Sequence, residues 1–114
     1  MAFNELELRR INNLVGGMCG RKAPPEIRDE LEFAFEVNGH NVDVFEIRPV
    51  WDNPSEKTKM GVARFKYVHI RKQWQLYWMR RDLKWHRYDP EPLPTSLDGL
   101  VKVVDEDKHC AFFG

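Results

Sequence analysis

The chain has only two cysteines, Cys19 and Cys110, and they stand in no CxxC spacing. A disulfide framework is not the expected source of stability, and both thiols are read as free. Long apolar runs are missing too. No segment approaches the roughly 18 to 20 residues that a membrane helix needs, and the N-terminal MAFNELELRR lacks the apolar core of a signal peptide. A cytoplasmic protein with no membrane partner is the expectation. No low-complexity tract, repeat or linker divides the 114 residues, so one domain over 1–114 with one core is expected. Net charge is also absent, with 18 Lys and Arg against 18 Asp and Glu. That removes the compositional argument for a nucleic-acid partner but leaves the local one, because binding responds to a patch and not to the total.

Acids are nearly absent from one stretch, Gly61 to Tyr88, and what is present there sets the reading of the rest. It holds eight of the 18 basic residues and a single acid, Asp82, for a formal charge of +7. The flanks carry −3 before it and −4 after it. It also holds seven of the fourteen Phe, Tyr and Trp residues.

Periodicity gives the elements. Asn4 with Glu7 three residues later is a capping-box arrangement ahead of Leu8, Ile11, Leu14 and Val15 at helical spacing, with Phe3 and Leu8 as the staple. Gly16-Gly17 is expected to end this helix, followed by a loop through MCGRKAPPEIRD. From Leu31, apolar residues alternate through Phe33, Phe35 and Val37, and Asn38-Gly39 predicts a type I′ hairpin that pairs Val37 with His40, Phe35 with Val42 and Phe33 with Val44. Phe45 and Ile47 then fall on the opposite face, which leaves a bulge near Val44 or a helix over that side as the alternatives. Pro49 and WDNPSEKTK predict a long turn, with Pro54 keeping it out of the sheet.

A second hairpin from Gly61, with its loop over Ile70 to Gln73, sets His69 against Trp74, Tyr67 against Leu76 and Phe65 against Trp78. Its other face carries Arg64, Lys66, Gln75, Tyr77 and Met79. A turn at Arg81-Asp82 returns Leu83 to Tyr88 as a further strand, with Trp85 opposite Trp78 and His86 opposite Tyr77. After the extended connector DPEPLPTS, Ser96 caps a short helix bearing Leu97, Leu100, Val101 and Val104, and Phe112 and Phe113 imply a tail fixed to the body. The sum is an α+β fold: an N-terminal helix, an antiparallel β-meander of about five strands, and a short C-terminal helix.

The stretches VFEIRPVW at 44 to 51, Ala63 to Tyr67, LYWMRRDLKWHRYDP at 76 to 90 and the terminal CAFFG together resemble the bacterial domain-of-unknown-function family numbered 3024. The resemblance spans most of the chain and implies a small bacterial single-domain protein. It implies no activity, cofactor, partner or site residue.

Three constellations remain. The first is a basic, aromatic surface of Arg64, Lys66, Tyr77, Arg80, Arg81, Lys84, His86, Arg87 and Tyr88. It suits a non-enzymatic module for nucleic acid, where cations meet phosphates and rings stack unpaired bases. The same composition suits a protein interface or a homodimer through the edge strand near Tyr88, since Trp and Arg are enriched at interface centres. A solvated basic strand is the plainer reading of both. The second is the alternation Asp82, Lys84, His86, Tyr88, which puts four side chains on one strand face. Asp-x-Lys resembles half of a metal-dependent nuclease site and needs a second acid, for which Asp43, Glu46 and Asp52 are available. The third is zinc binding through Cys19, His40, His69, His86, His109 and Cys110, whose spacing is poor for a structural site. No cofactor is expected.

Overall fold

In a computed structural model, which describes residues 3–88, 93–109 and 111–113, the chain is an α+β fold. Helix α1 (Glu5–Ile11) passes through one π-helical segment (Asn12–Gly16) into α2 (Gly17–Lys22). Five antiparallel strands follow: β1 (Glu32–Asn38), β2 (Asn41–Val50), β3 (Asn53–Val68), β4 (Gln73–Met79) and β5 (Trp85–Arg87). They lie in sequential order in one sheet. Helix α3 (Leu97–Glu106) closes the order.

The capping box holds: Asn4 Oδ1 accepts from the Glu7 N–H at 2.8 Å and Glu7 Oε1 from the Asn4 N–H at 3.0 Å. The expected stop at Gly16-Gly17 does not. Both glycines are right-handed helical, with φ −61° and −62°. Glycine permits positive φ without imposing it, and burial of Met18 and Cys19 just beyond offsets its propensity cost of roughly 1 kcal/mol per residue. Gly16 also brings the helix close to β1, since a Cβ there would stand 3.2 Å from Phe35 Cε1.

The helices cover one face of the sheet, called here the inner face. Val42, Val44, Phe65 and Leu76 are buried there against Ile11, Val15 and Met18 of the first helical run and Leu97, Leu100, Val101 and Val104 of α3. Each large apolar side chain buried this way contributes roughly 1.5 to 3 kcal/mol. Ser96 caps α3 through the Gly99 N–H, as expected. The tail is fixed: the Asp107 carboxylate accepts from the Phe112 and Phe113 N–H groups at 3.1 and 2.8 Å, and Phe113 meets Phe33 edge-on at 5.1 Å. The start of the connector, residues 89–92, and Cys110 lie outside the described residues.

The hairpin pairings differ from the expected ones. Val37 faces Val42, and Phe35 faces Val44, so the first turn is Gly39-His40, with only Gly39 at positive φ. Tyr67 faces Trp74, and Phe65 faces Leu76, so the second loop is His69 to Lys72. Both are shifts of two residues, which leave every side chain on its expected face. Beyond Val44, a bulge is the alternative realised. Val44 pairs with Ala63 but Phe45 with Gly61, so the extra residue is Val62 of β3. The long turn around Pro54 is not realised. β2 and β3 continue as a two-stranded ribbon to a turn at Trp51-Asp52, and Pro54 falls in the irregularity between the Val50–Asn53 and Pro49–Lys57 pairs, where no ladder N–H is required. At the far edge, β5 has only three residues. The Tyr88 N–H then donates to Leu76 O, and Thr95 O accepts from the Trp74 N–H, so the edge near Tyr88 offers little for dimerisation.

Glycine replacements separate space from propensity. A Cβ at Gly99 would stand 2.6 Å from Pro94 Cβ, whereas one at Gly17 meets only Arg21 Nη1 at 3.4 Å. Gly99→Ala is therefore expected to destabilise by about 1 to 3 kcal/mol despite its better helix propensity, and Gly17→Ala to stabilise by up to about 1 kcal/mol. Urea unfolding of the two variants checks the opposite signs.

Candidate functional site

Among the described residues no helix covers the other face of the sheet, here the outer face, and its rows follow from the pairing. One row runs Glu36, Asp43, Arg64, Tyr77, Arg87 across all five strands. The next carries Ala34, Phe45 and Gly61, with Met79 and Trp85 beyond them on β4 and β5. On the other side of the charged row stand Asn38, Asn41, Lys66 and Gln75.

At the centre of this surface Asp43 is only 3% exposed, and its carboxylate accepts from Arg64 Nε at 2.7 Å and from Nη2 at 3.0 Å. The fork geometry satisfies both oxygens. The same guanidinium lies 4.8 Å over the Trp85 ring, a cation–π contact. Gly61 makes room for that ring: a Cβ there would stand 2.9 Å from Trp85 Cζ2 and Cη2 and 2.7 Å from Met79 Cε. Lys59 pairs with Glu36 and lies 4.2 Å over the Phe45 ring. Tyr77 donates from its hydroxyl to Gln75 Oε1 at 3.2 Å. Among the described residues, Lys66, Arg80, Arg81, Lys84 and Arg87 make no ion pair.

The sequence-predicted set divides in three. Arg64, Lys66, Tyr77 and Arg87 share the outer face. Arg80, Arg81 and Lys84 are exposed in the turn between β4 and β5, with the Arg80 guanidinium 5.5 Å over the Trp78 ring. His86 and Tyr88 point to the inner side, where His86 faces Trp78, and Tyr88 is 6% exposed against Phe112 at 4.9 Å. Trp85, expected opposite Trp78, faces Met79 instead and joins the outer face.

The cause is the turn. The Leu83 N–H donates to Arg80 O and the Arg80 N–H to Lys84 O, with Leu83 at φ +61°. This is a three-residue loop ending in a left-handed position, one residue longer than a turn at Arg81-Asp82, so every following side chain changes face. The sequence signal for such a loop is a glycine at its third position, and here leucine occupies it. A left-handed leucine costs roughly 1 to 2 kcal/mol, and it leaves Leu83 66% exposed.

The expected row Asp82, Lys84, His86, Tyr88 is thereby broken up. Asp82 lies in the turn, where one carboxylate oxygen accepts from the Lys84 N–H at 3.0 Å and the other is 2.8 Å from His86 Nε2. The hydrogen bond to His86, with that from the Lys84 backbone, holds its carboxyl below the ordinary range. Of the acids available to complete a metal site, Asp43 is engaged by Arg64, Glu46 pairs with Arg48, and Asp52 is in the ribbon turn. Among the described residues no three His, Cys, Asp or Glu side chains converge to hold a metal. Cys19 is buried, and desolvation pushes its thiol up to about 11, which makes it inert.

Two outcomes test this geometry. Arg64→Met leaves the Asp43 carboxylate buried without a partner and should cost about 3 kcal/mol, while Asp43→Val in the same chain should recover most of the loss; equilibrium unfolding of the single and double variants measures both. Because the Asp82 carboxyl is held down in the folded state, its contribution to the turn is present above its unfolded pKa of about 3.9 and lost as pH falls through the lower folded value. In an NMR titration the Lys84 amide should move with a midpoint below about 3.9, and this step should vanish in Asp82→Asn.

No curated protein and no solved structure significantly matches the chain. One family model does, across residues 3–114, the whole of the described fold. The chain therefore belongs to the family described as a domain of unknown function, DUF3024.

Proposed function

We propose that the outer face of the sheet is a binding surface for single-stranded nucleic acid. The observation that carries this reading is the pair of half-buried rings Tyr77 and Trp85 on an uncovered sheet face, flanked by Lys66 and Arg87, neither of which is ion-paired among the described residues. Their chemistry suits the ligand. Rings presented by adjacent strands stack successive bases for roughly 1 to 3 kcal/mol each without reading their edges. Lys66 and Arg87 meet the backbone between them, and Arg80, Arg81 and Lys84 continue a cationic track at the end of the sheet. Arg64 has a different task here: it neutralises Asp43 and backs Trp85, so it orients the surface and is not counted among the phosphate contacts. Duplex fits less well, because its bases are stacked internally and unavailable to Tyr77 and Trp85.

A protein partner is the second reading, favoured by Trp51, which is 92% exposed at the tip of the β2–β3 ribbon.

The two separate by salt dependence. With up to five phosphate contacts at a slope of about −0.7 each, log affinity for a single-stranded oligonucleotide should fall with log salt at a slope near −3.5. Fluorescence anisotropy with labelled single-stranded DNA, single-stranded RNA and duplex measures it. A folded Lys66→Ala, Arg87→Ala variant should reduce the slope by about 1.4, and an Arg80→Ala, Arg81→Ala, Lys84→Ala variant by about 2.1. Absence of binding by the folded wild type at low salt would overturn the nucleic-acid reading and leave the protein interface.

A further inference from the structure

We propose that β1 is a self-association edge, along which two copies of the chain pair antiparallel to form one continuous ten-stranded sheet. This inference is independent of the nucleic-acid reading, since it concerns the edge of the sheet opposite the one at β5.

The sheet has two edges of different kinds. β5 is short and followed by backbone contacts that occupy the edge of β4. β1 has seven residues in unbroken register with β2, and among the described residues no backbone hydrogen bond reaches its other side. An open ladder of this length is a template for a further strand, and proteins commonly blunt it with lysine, proline or a bulge. β1 has none of these: its sequence is EFAFEVN and its pairing carries no irregularity. Its inner-face residues Phe33, Phe35 and Val37 are only partly buried, although they pack on the core. Beside them, between the helix at Gly16 and Gly20 and the strand at Phe33 and Phe35, an open groove of about 300 Å³ runs along the edge.

The occupant follows from the strand's own sequence. A two-fold antiparallel pairing must set inner-face residues against inner-face residues, which requires the dyad to pass through a residue and not between two. With the dyad at Ala34, Glu32 faces the partner's Glu36; with the dyad at Glu36, the two Glu36 side chains face each other. With the dyad at Phe35 no acids are opposed. Phe35 then faces its own copy, Phe33 faces the partner's Val37 beside the groove, Ala34 faces the partner's Glu36, and Glu32 faces the partner's Asn38. Cross-strand apolar pairs of this kind favour association, and directly opposed like charges disfavour it. Dyads at Phe33 or Val37 would pair only three residues of each strand, so among the longer registers the edge is self-complementary in one, which closes on itself after two copies and does not propagate.

The test is sedimentation velocity of the full chain from about 1 to about 500 µM, spanning the range expected of an interface at the small end of the usual sizes. The wild type should pass reversibly from monomer to dimer, and amide exchange in Glu32 to Asn38 should slow as concentration rises. Ala34→Glu opposes two acids twice per dimer and should raise the dissociation constant at least about tenfold. Adding Glu36→Lys restores opposite charges at those same pairs and should restore the dimer. Circular dichroism verifies that each variant is folded, and the amide-exchange readout on the wild type needs no variant. A wild type that stays monomeric over the whole range would overturn the proposal. So would a dimer that Ala34→Glu leaves intact, or one that Glu36→Lys fails to rescue.

Discussion

A carboxylate buried on a sheet face that no helix covers has to be neutralised by its own neighbours across the strands, and that requirement organises the outer face. Asp43 stands near the start of β2 with almost no exposure. Arg64, directly opposite on β3, answers it with a bidentate fork. Once fixed, the guanidinium lies over the ring of Trp85, two strands away. That in turn demands a residue without a side chain at Gly61, over which Trp85 and Met79 lie. The loop at Leu83 sets the face that Trp85 occupies, and the ion pair sets what its ring packs against there. The pair itself is weak support for stability, because desolvation consumes much of its Coulombic gain.

The two sides of the sheet obey different rules. On the inner side, helices and tail supply the apolar cover, and the determinants are volume and close approach, as at Gly16 against Phe35 and Gly99 against Pro94. On the outer side, long cationic stems cover rings in place of helices: Lys59 over Phe45 and Arg64 over Trp85. A surface built this way stays solvated and partly apolar at once. On the proposed reading, that combination is what a flexible, charged, base-bearing chain would use.

Much of the architecture is legible from local signals. The Asn4–Glu7 box, the Ser96 cap, the alternation through Phe33 and Phe35 and the two phenylalanines of the tail each have a short-range cause, and each is found where expected. Hairpin registers are legible only to within two residues, and that difference is harmless because sheet sidedness has a period of two. At Leu83 the difference is a single residue, and it is not harmless. It exchanges the faces of β5, taking His86 and Tyr88 out of the outer surface and putting Trp85 into it. The loop is hidden because its left-handed position is filled by leucine, which local chemistry disfavours. Gly16-Gly17 and Pro54 share another cause, since each is a local breaker whose effect depends on its surroundings. The two glycines continue a helix because burial beyond them outweighs propensity, and Pro54 lies within a strand because the irregularity there asks for no N–H.

The central claim is that Trp85 belongs to an open, ligand-facing surface and Trp74 and Trp78 to the covered one. Proton–nitrogen NMR of the indole and backbone groups during addition of a single-stranded oligonucleotide tests it most directly. The account predicts shifts at the Trp85 indole and at the amides of Lys66, Tyr77 and Arg87, larger than any at the Trp78 indole beneath Arg80, with the Trp74 indole unmoved. Shifts centred on Trp74 and Trp78, with Trp85 silent, would contradict it.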